Sequence, residues 1–123
     1  MTPGPVRAGL RVFLVEDEFA VLLLLEDMLT SLGCEIVATA SDLASALRLG
    51  AACDVDVAVL DINIAGRKVY PVAELLKGRR IPILFSTGYG RAGVEPAWQD
   101  RPIVQKPFTE EELADALATI AGS

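Results

Sequence analysis

The sequence predicts an α/β protein in which five parallel strands form one sheet with helices on both faces. Five short apolar runs alternate with segments of helical periodicity, which favours a parallel sheet. The runs are almost wholly apolar, as strands covered on both faces must be. The chain has 123 residues, of which 52% are hydrophobic, so it can bury the core of one domain.

The first strand and its helix follow a short leader. Residues 1–9 carry two prolines and two glycines without an apolar run, so we expect a flexible leader there, followed by one domain over residues 10–123. Arg11–Val15 is apolar after its first residue, which suits a buried strand. Phe19–Leu32 has leucines at helical spacing and predicts a helix that ends at Gly33.

The next two strands enclose a capped helix. Glu35–Ala40 is predicted as the second strand and Val55–Leu60 as the third. Between them, a helix runs to about Ala51. Either Ser41 or Asp42 can accept a hydrogen bond from its first turn, and the sequence leaves both caps open.

A loop follows the third strand, and a short helix leads to the fourth. The loop over residues 61–71 is punctuated by Gly66 and Pro71. Val72–Lys77 is then predicted as a helix, because Gly78 stops it. Ile83–Ser86 is the fourth strand.

The last strand and helix close the domain. Pro96 lies within the fourth helical segment, Glu95–Gln99, so that helix should be short or irregular. Ile103–Gln105 is the fifth strand. Thr109 opens the fifth helix with a capping box, since Glu112 follows three residues later.

Five such units favour the flavodoxin-like strand order 2-1-3-4-5, with right-handed crossovers. The first and third strands are then neighbours, and the carboxyl ends of all five strands form one ligand-binding edge. Polar side chains follow four of these strands. They are Glu16, Asp17, Asp61, Thr87 and Lys106.

These side chains suit a divalent cation and a phosphoryl group. Clustered carboxylates repel one another unless a cation or proton neutralises them, and Mg²⁺ prefers oxygen ligands. Asp61 is the best-placed nucleophile, because a carboxylate can form an aspartyl phosphate. Lys106 can balance the charge of the transferred group, and Thr87 can donate a hydrogen bond to it.

The same pieces closely resemble the bacterial response-regulator receiver family, whose fold is called CheY-like. The resemblance covers about residues 10–121. Its Phe-x-Thr-Gly string is similar to that of a receiver subgroup common in alphaproteobacteria. The matching pieces are Val15-Glu16-Asp17-Glu18, Leu60-Asp61-Ile62-Asn63, Phe85-Ser86-Thr87-Gly88 and Gln105-Lys106-Pro107-Phe108.

The resemblance implies roles for the residues around the acidic cluster. Asp61 is identified as the phosphoryl acceptor. Glu16 and Asp17 are implied to hold Mg²⁺, or Mn²⁺, together with Asp61 and the backbone carbonyl of Asn63. Asn63 also falls where receivers tune the lifetime of their phosphoryl group.

The resemblance implies switch and tuning roles for the remaining positions. Thr87 is the switch hydroxyl, and Lys106 is the family's lysine, with an expected cis bond to Pro107. Ile103 stands where many receivers carry a switch aromatic, which puts the usual coupling of threonine and aromatic ring in doubt. Tyr89 is either a substitute signalling residue or a partly exposed loop tyrosine.

The function implied is a stand-alone receiver. It would accept a phosphoryl group from a sensor histidine kinase or a histidine phosphotransfer protein and signal to a downstream protein. It would catalyse nothing beyond its own magnesium-dependent phosphorylation and dephosphorylation, so we do not expect an enzyme. Three alternatives stay open: an aspartyl-phosphate phosphohydrolase, a phosphate-independent pseudo-receiver, and a fragment of a longer hybrid protein.

Charge, hydropathy and cysteine content indicate which partners and which cellular compartment to expect. The net charge is −6 without a basic cluster, which argues against a nucleic-acid partner. The longest apolar run, Phe19–Leu25, is too short to cross a membrane, and no signal peptide is visible, so we expect a cytoplasmic protein. Cys34 and Cys53 are expected to be free thiols, although the sequence does not exclude a disulfide.

Overall fold

A five-stranded parallel sheet forms the centre of the protein, whose computed structural model describes residues 6–121. Its order is β2-β1-β3-β4-β5, which confirms the predicted flavodoxin-like arrangement. The bounds of the first, second and fifth strands are those predicted. The third and fourth end one residue later than predicted, and the third also begins two residues later, at Val57. The strands are β1 (Arg11–Val15), β2 (Glu35–Ala40), β3 (Val57–Asp61), β4 (Ile83–Thr87) and β5 (Ile103–Gln105).

Four α-helices lie within the described residues, one fewer than predicted. The fourth helical segment, Glu95–Gln99, was predicted to be short or irregular and forms only a 3₁₀ turn, Pro96–Trp98, which a second 3₁₀ turn, Gly90–Gly93, precedes. Pro96 explains this, because proline has no N–H to donate and restricts the residue before it. The α-helices are α1 (Phe19–Ser31), α2 (Leu43–Ala52), α3 (Tyr70–Gly78) and α4 (Glu110–Ala121).

A short hairpin occupies the segment after β3, where the sequence predicted only a loop. Asn63–Ile64 pairs antiparallel with Arg67–Lys68. Its two tip residues both have positive φ, 50° at Ala65 and 81° at Gly66, as expected for a two-residue hairpin turn. The structure thus lays an ordered ribbon beside the carboxyl end of β3.

Side-chain caps begin two of the helices. The Ser45 N–H donates to Asp42 Oδ1 at 2.7 Å, so Asp42 is the cap of α2. At the start of α4, the Glu112 N–H donates to Thr109 Oγ1 at 3.1 Å, and the Thr109 N–H donates to Glu112 Oε1 at 2.9 Å. This reciprocal pair is the predicted capping box.

We expect Thr109→Ala to lower the free energy of unfolding by about 1 kcal/mol, since it leaves the first turn of α4 without its cap. Urea unfolding would measure the change. Thr119→Ala is the matched control on the same helix, because the Thr119 hydroxyl only donates back to the Asp115 carbonyl at 2.9 Å. Equal losses in the two variants would contradict the capping role.

Two apolar layers cover the sheet and orient the polar edge. On one face, α2 and α3 pack on residues such as Phe13, Leu60 and Phe85. On the other face, α1 and α4 pack on residues such as Leu14 and Val59. Because side chains alternate along a strand, the residues at the carboxyl ends continue both faces into the ligand-binding edge.

The leader prediction reaches beyond the described chain, since residues 1–5 lie outside the structure. The Gly9 N–H donates to the Gly33 carbonyl at 2.8 Å, and Arg7 pairs with Asp56 at 3.1 Å. Flexibility of the leader remains a prediction.

Both cysteines are free thiols, with Cys34 buried. None of the helices in residues 6–121 has the length and apolar character to span a bilayer.

Candidate functional site

The candidate site lies where the strands of the central sheet end. β1 and β3 are neighbours, with Val15 opposite Leu60, so the residue after each strand reaches the same edge. β4 continues this row, because Asp61 pairs with Ser86. All five polar residues predicted for this edge lie at the carboxyl ends of strands: Asp61 and Thr87 end β3 and β4, and the other three follow β1 or β5. The five are Glu16, Asp17, Asp61, Thr87 and Lys106.

One ammonium joins two buried carboxylates at this edge. Lys106 Nζ donates to Glu16 Oε1 at 2.9 Å and to Asp61 Oδ2 at 3.1 Å. Glu16 is 1% exposed and Asp61 is 6% exposed. Such charges are tolerated away from water only when they are paired, so the lysine neutralises this part of the cluster.

Burial controls the protonation of the pair. It raises the pKa of Glu16 to about 7, although the hydrogen bonds from Lys106 and from the Glu18 N–H act in the opposite direction. Burial also disfavours the charged ammonium, but hydrogen bonding to Glu16 and attraction by Asp61 outweigh it, so the pKa of Lys106 is raised. Near neutral pH, the lysine is charged while Glu16 titrates.

Consecutive acids after β1 offer a set of cation ligands. Carboxylate oxygens of Glu16, Asp17 and Glu18 all lie within 4.8 Å of one another. An all-oxygen set fits Mg²⁺ or Mn²⁺ in preference to softer metals. Glu18 was not among the predicted ligands. The run of three acids in the sequence is the signal that could have identified it.

The hairpin after β3 is hydrogen-bonded to two acids of the site, Asp17 and Asp61. The Ala65 N–H donates to Asp17 Oδ2 at 2.9 Å, and the Asn63 N–H donates to Asp61 Oδ1 at 3.3 Å. Lys68 Nζ in turn donates to Asn63 Oδ1 at 2.8 Å. Sequence reasoning missed Lys68, because it treated this segment as an irregular loop.

Thr87 sits at the end of β4 and is 1% exposed. Its Oγ1 accepts a hydrogen bond from the Tyr89 N–H at 3.1 Å, so the hydroxyl is engaged with the following turn. The turn packs tightly, since a Cβ at Gly93 would come within 2.7 Å of Thr87 Oγ1. Tyr89 itself is 74% exposed.

Aromatic side chains from three elements meet next to β5. Ile103 pairs with Phe85 in the sheet and is partly buried. The Trp98 ring lies 5.8 Å from Phe85 and 6.3 Å from Tyr70, and the Arg101 guanidinium lies 4.7 Å from its centroid. The tryptophan thus packs with Tyr70 of α3 and Phe85 of β4, contacts between distant positions that the sequence did not indicate. The Lys106–Pro107 peptide bond is cis.

An apolar surface adjoins the acidic edge. Phe19, Leu23 and Leu24 of α1 are the large hydrophobic side chains exposed on this helix. Leu24 also lines a cavity of about 370 Å³ between α1 and the segment that follows β5. Its lining includes Glu18 and Lys106, so the cavity extends to the polar site.

Comparison with protein families gives one match over most of the chain. Residues 12–118 match the family model described as response regulator receiver domain. The matched region contains the sheet except Arg11, the first residue of β1, and each of the five polar residues at its edge. Among curated proteins, none matches the chain significantly.

Solved structures share the fold over nearly the whole chain. SdrG from Sphingomonas melonis Fr1 is 41% identical over 91% of this chain and 96% of its own, with a TM-score of 0.82. A BeF₃-activated conformation of SdrG is 40% identical over 90% of this chain and 95% of its own, with a TM-score of 0.77. A third structure is the receiver domain of the Pseudomonas aeruginosa PAO1 sensor histidine kinase PA1611, with magnesium coordinated in its active-site cleft. It is 26% identical over 94% of this chain and 100% of its own, with a TM-score of 0.76.

Proposed function

The chain belongs to the response regulator receiver family, and from this premise we propose that Asp61 accepts a phosphoryl group from a phosphohistidine donor. One observation carries the proposal. Asp61 is a nearly buried carboxylate whose Oδ2 lies 3.1 Å from the Lys106 ammonium, at the edge where three further acids gather. That arrangement combines a nucleophile with the positive charge needed to receive a dianion.

The proposed transfer is a displacement at phosphorus. An Asp61 carboxylate oxygen forms the new P–O bond while the P–N bond to the donor histidine breaks, and the electron pair leaves with the imidazole, which takes up a proton. Lys106, which already bonds Asp61, turns part of its hydrogen bonding toward the incoming phosphoryl oxygens. The Thr87 hydroxyl, whose oxygen accepts the Tyr89 N–H, would donate its own proton to a phosphoryl oxygen.

The acidic residues of the site are proposed to hold a divalent cation. Glu16 and Asp17 would hold Mg²⁺, or Mn²⁺, with Asp61 and the backbone carbonyl of Asn63. A cation bound there supplies positive charge that neutralises phosphoryl oxygens. The carboxylates of Glu16 and Asp17 also repel a dianion, so their neutralisation is a condition for the donor to approach Asp61.

The apolar surface on α1 supports a protein as the phosphoryl donor. A donor that reaches Asp61 must cover the cavity lined by Glu18 and Lys106. Leu24 lines this cavity, and Phe19 directly follows Glu18 of its lining. Phe19 and Leu24 are 71% and 50% exposed, which favours an apolar partner surface such as a helix of a histidine kinase or phosphotransfer protein.

We expect the double variant Phe19→Ala/Leu24→Ala to slow phosphotransfer from a protein donor about tenfold, because it removes two apolar contact side chains. Transfer would be measured from whichever autophosphorylated kinase labels the wild type fastest. Labelling of the same variant by acetyl phosphate should be unchanged and serves as its control. Equal slowing with both donors would show damage to the site instead of a docking role.

Labelling by acetyl phosphate tests the central proposal. In the presence of Mg²⁺, the protein should gain the mass of one phosphoryl group, and EDTA should prevent it. Borohydride reduction converts an aspartyl phosphate to homoserine, so peptide mass spectrometry should find homoserine at position 61. A phosphoryl group at another residue, or none, would refute the proposal.

We propose a signalling function in preference to turnover of phosphate esters. A phosphohydrolase of this chemistry needs a second acid two residues after its nucleophile. Asn63 occupies that position, and its side-chain Oδ1 accepts a hydrogen bond from Lys68. The phosphorylated domain would therefore act on a downstream protein. We also propose a cytoplasmic location, where ATP charges donor histidines.

A further inference from the structure

The hairpin after β3 places a second lysine near the phosphoacceptor. Asn63 and Lys68 are opposite each other in the hairpin, and Lys68 Nζ donates to Asn63 Oδ1 at 2.8 Å. Side chains of directly opposed residues share one face of a ribbon, so this contact follows from the pairing register. The two residues form what we call the Lys68–Asn63 bridge.

The bridge fixes which end of the Asn63 amide is available. Because Oδ1 is occupied by Lys68, the two N–H donors of the amide face away from the ammonium. The Asn63 backbone N–H already donates to Asp61 Oδ1, so the residue adjoins the phosphoacceptor. Asp17 holds the turn of the same hairpin through the Ala65 N–H. The amide is therefore carried by a segment with two anchors in the site.

We propose that Lys68 is a positioning residue that prolongs the lifetime of the phosphoryl group on Asp61. The inference rests on the proposed function and extends it. Through the bridge, Lys68 holds the Asn63 amide over the solvent side of Asp61, where its N–H groups donate to phosphoryl oxygens and obstruct water. The exposed ammonium also adds positive charge next to a group that carries nearly two negative charges.

Hydrolysis is the step that the bridge opposes. A water oxygen bonds to phosphorus as the bond from phosphorus to the Asp61 oxygen breaks, the electron pair returns to the carboxylate, and inorganic phosphate leaves while the water gives up a proton to solvent. Attacking and leaving oxygens are roughly in line, so water must approach from the side opposite Asp61. An Asn63 amide held on that side obstructs the approach of the attacking water.

The hairpin provides its own control residue. Arg67 carries the same charge as Lys68 and lies one residue earlier on the same strand, but it pairs with the buried Ile64. Successive residues of a strand point to opposite faces. Arg67→Met therefore repeats the charge change of Lys68→Met without removing the bridge.

The test measures how long the acyl phosphate survives. Each protein is labelled with acetyl phosphate and Mg²⁺, the donor is removed, and loss of label is followed in Mg²⁺. We expect Lys68→Met to shorten the half-life about three- to fivefold, a value typical of one exposed charged hydrogen bond. Arg67→Met should stay within about 1.5-fold of the wild type, since it leaves that bond intact. Equal half-lives in the two variants would overturn the inference.

Two further variants separate positioning from a structural effect. Lys68→Arg keeps a donor that can reach Asn63 and should restore most of the lifetime. Asn63→Ala should shorten it as Lys68→Met does, and the double variant should be no worse than either single one, because both remove the same bridge. Independent, multiplying effects would refute the bridge. Failure of the wild type to label at all would refute the proposed function instead.

Discussion

Asp61→Asn is expected to abolish labelling by acetyl phosphate, with a loss of more than about a hundredfold, because an amide oxygen is a poor nucleophile at this step. The substitution keeps the shape of the side chain and one oxygen for Lys106. The ammonium also retains Glu16 at 2.9 Å, so the fold of the edge should survive. Phosphoryl incorporation in Mg²⁺, measured by intact mass, gives the result.

Asp56→Asn is the matched control for this variant. Asp56 lies just before β3, whereas Asp61 ends it, so the two acids sit at opposite ends of one strand. Asp56 accepts the Arg11 N–H at 2.8 Å and pairs with Arg7, which are structural contacts. Its variant should label at the rate of the wild type. Labelling of Asp61→Asn at a rate near that of the control would remove Asp61 from the proposed role.

The sheet and its polar edge could be predicted because both depend on local patterns. Apolar runs such as Val57–Leu60 are buried along their length, so the sequence marks the strand and the residue that follows it. The alternation of strands and helices then leaves few possible strand orders. Thr109 and Glu112 likewise show their capping box within four residues.

The hairpin and the aromatic cluster could not be predicted, because neither leaves a local pattern in the sequence. Ala65 has positive φ, a conformation that alanine rarely adopts, so the turn lacks its usual residue signal. Trp98 meets Tyr70 and Phe85 only after the sheet has formed, and a sequence pattern contains no such distant pairing. Lys68 and Glu18 were missed because their relevance depends on these tertiary positions.

The site residues differ in how far their hydrogen bonds and charges are satisfied within the protein. Lys106 is fixed by two carboxylates, and Thr87 hydrogen bonds to the turn beside it. The acids have no equivalent neutralisation, because one ammonium serves both Glu16 and Asp61. The metal-free protein should therefore lose stability when Glu16 ionises, a cost that a cation bound there would offset.

Raising the pH of the metal-free protein is accordingly expected to lower its free energy of unfolding, through Glu16. Burial raises the pKa of this carboxyl from 4.5 to about 7, so the folded protein holds its proton more tightly than the unfolded chain does. The resulting stabilisation is complete below pH 4.5 and is lost as the pH rises through about 7. The loss amounts to about 3 kcal/mol at 1.36 kcal/mol for each pKa unit.

Glu16→Gln isolates this contribution. A neutral side chain of the same size cannot ionise, so the stability of the variant relative to the wild type should grow from pH 4.5 to pH 7.5 in EDTA, as measured by urea unfolding. Glu74→Gln is the control, since Glu74 is an exposed acid on α3 outside the acid cluster, and its curve should parallel that of the wild type. Excess Mg²⁺ should flatten the wild-type curve by binding the ionised form. Parallel curves for Glu16→Gln and the wild type in EDTA would show that burial of Glu16 does not set its protonation.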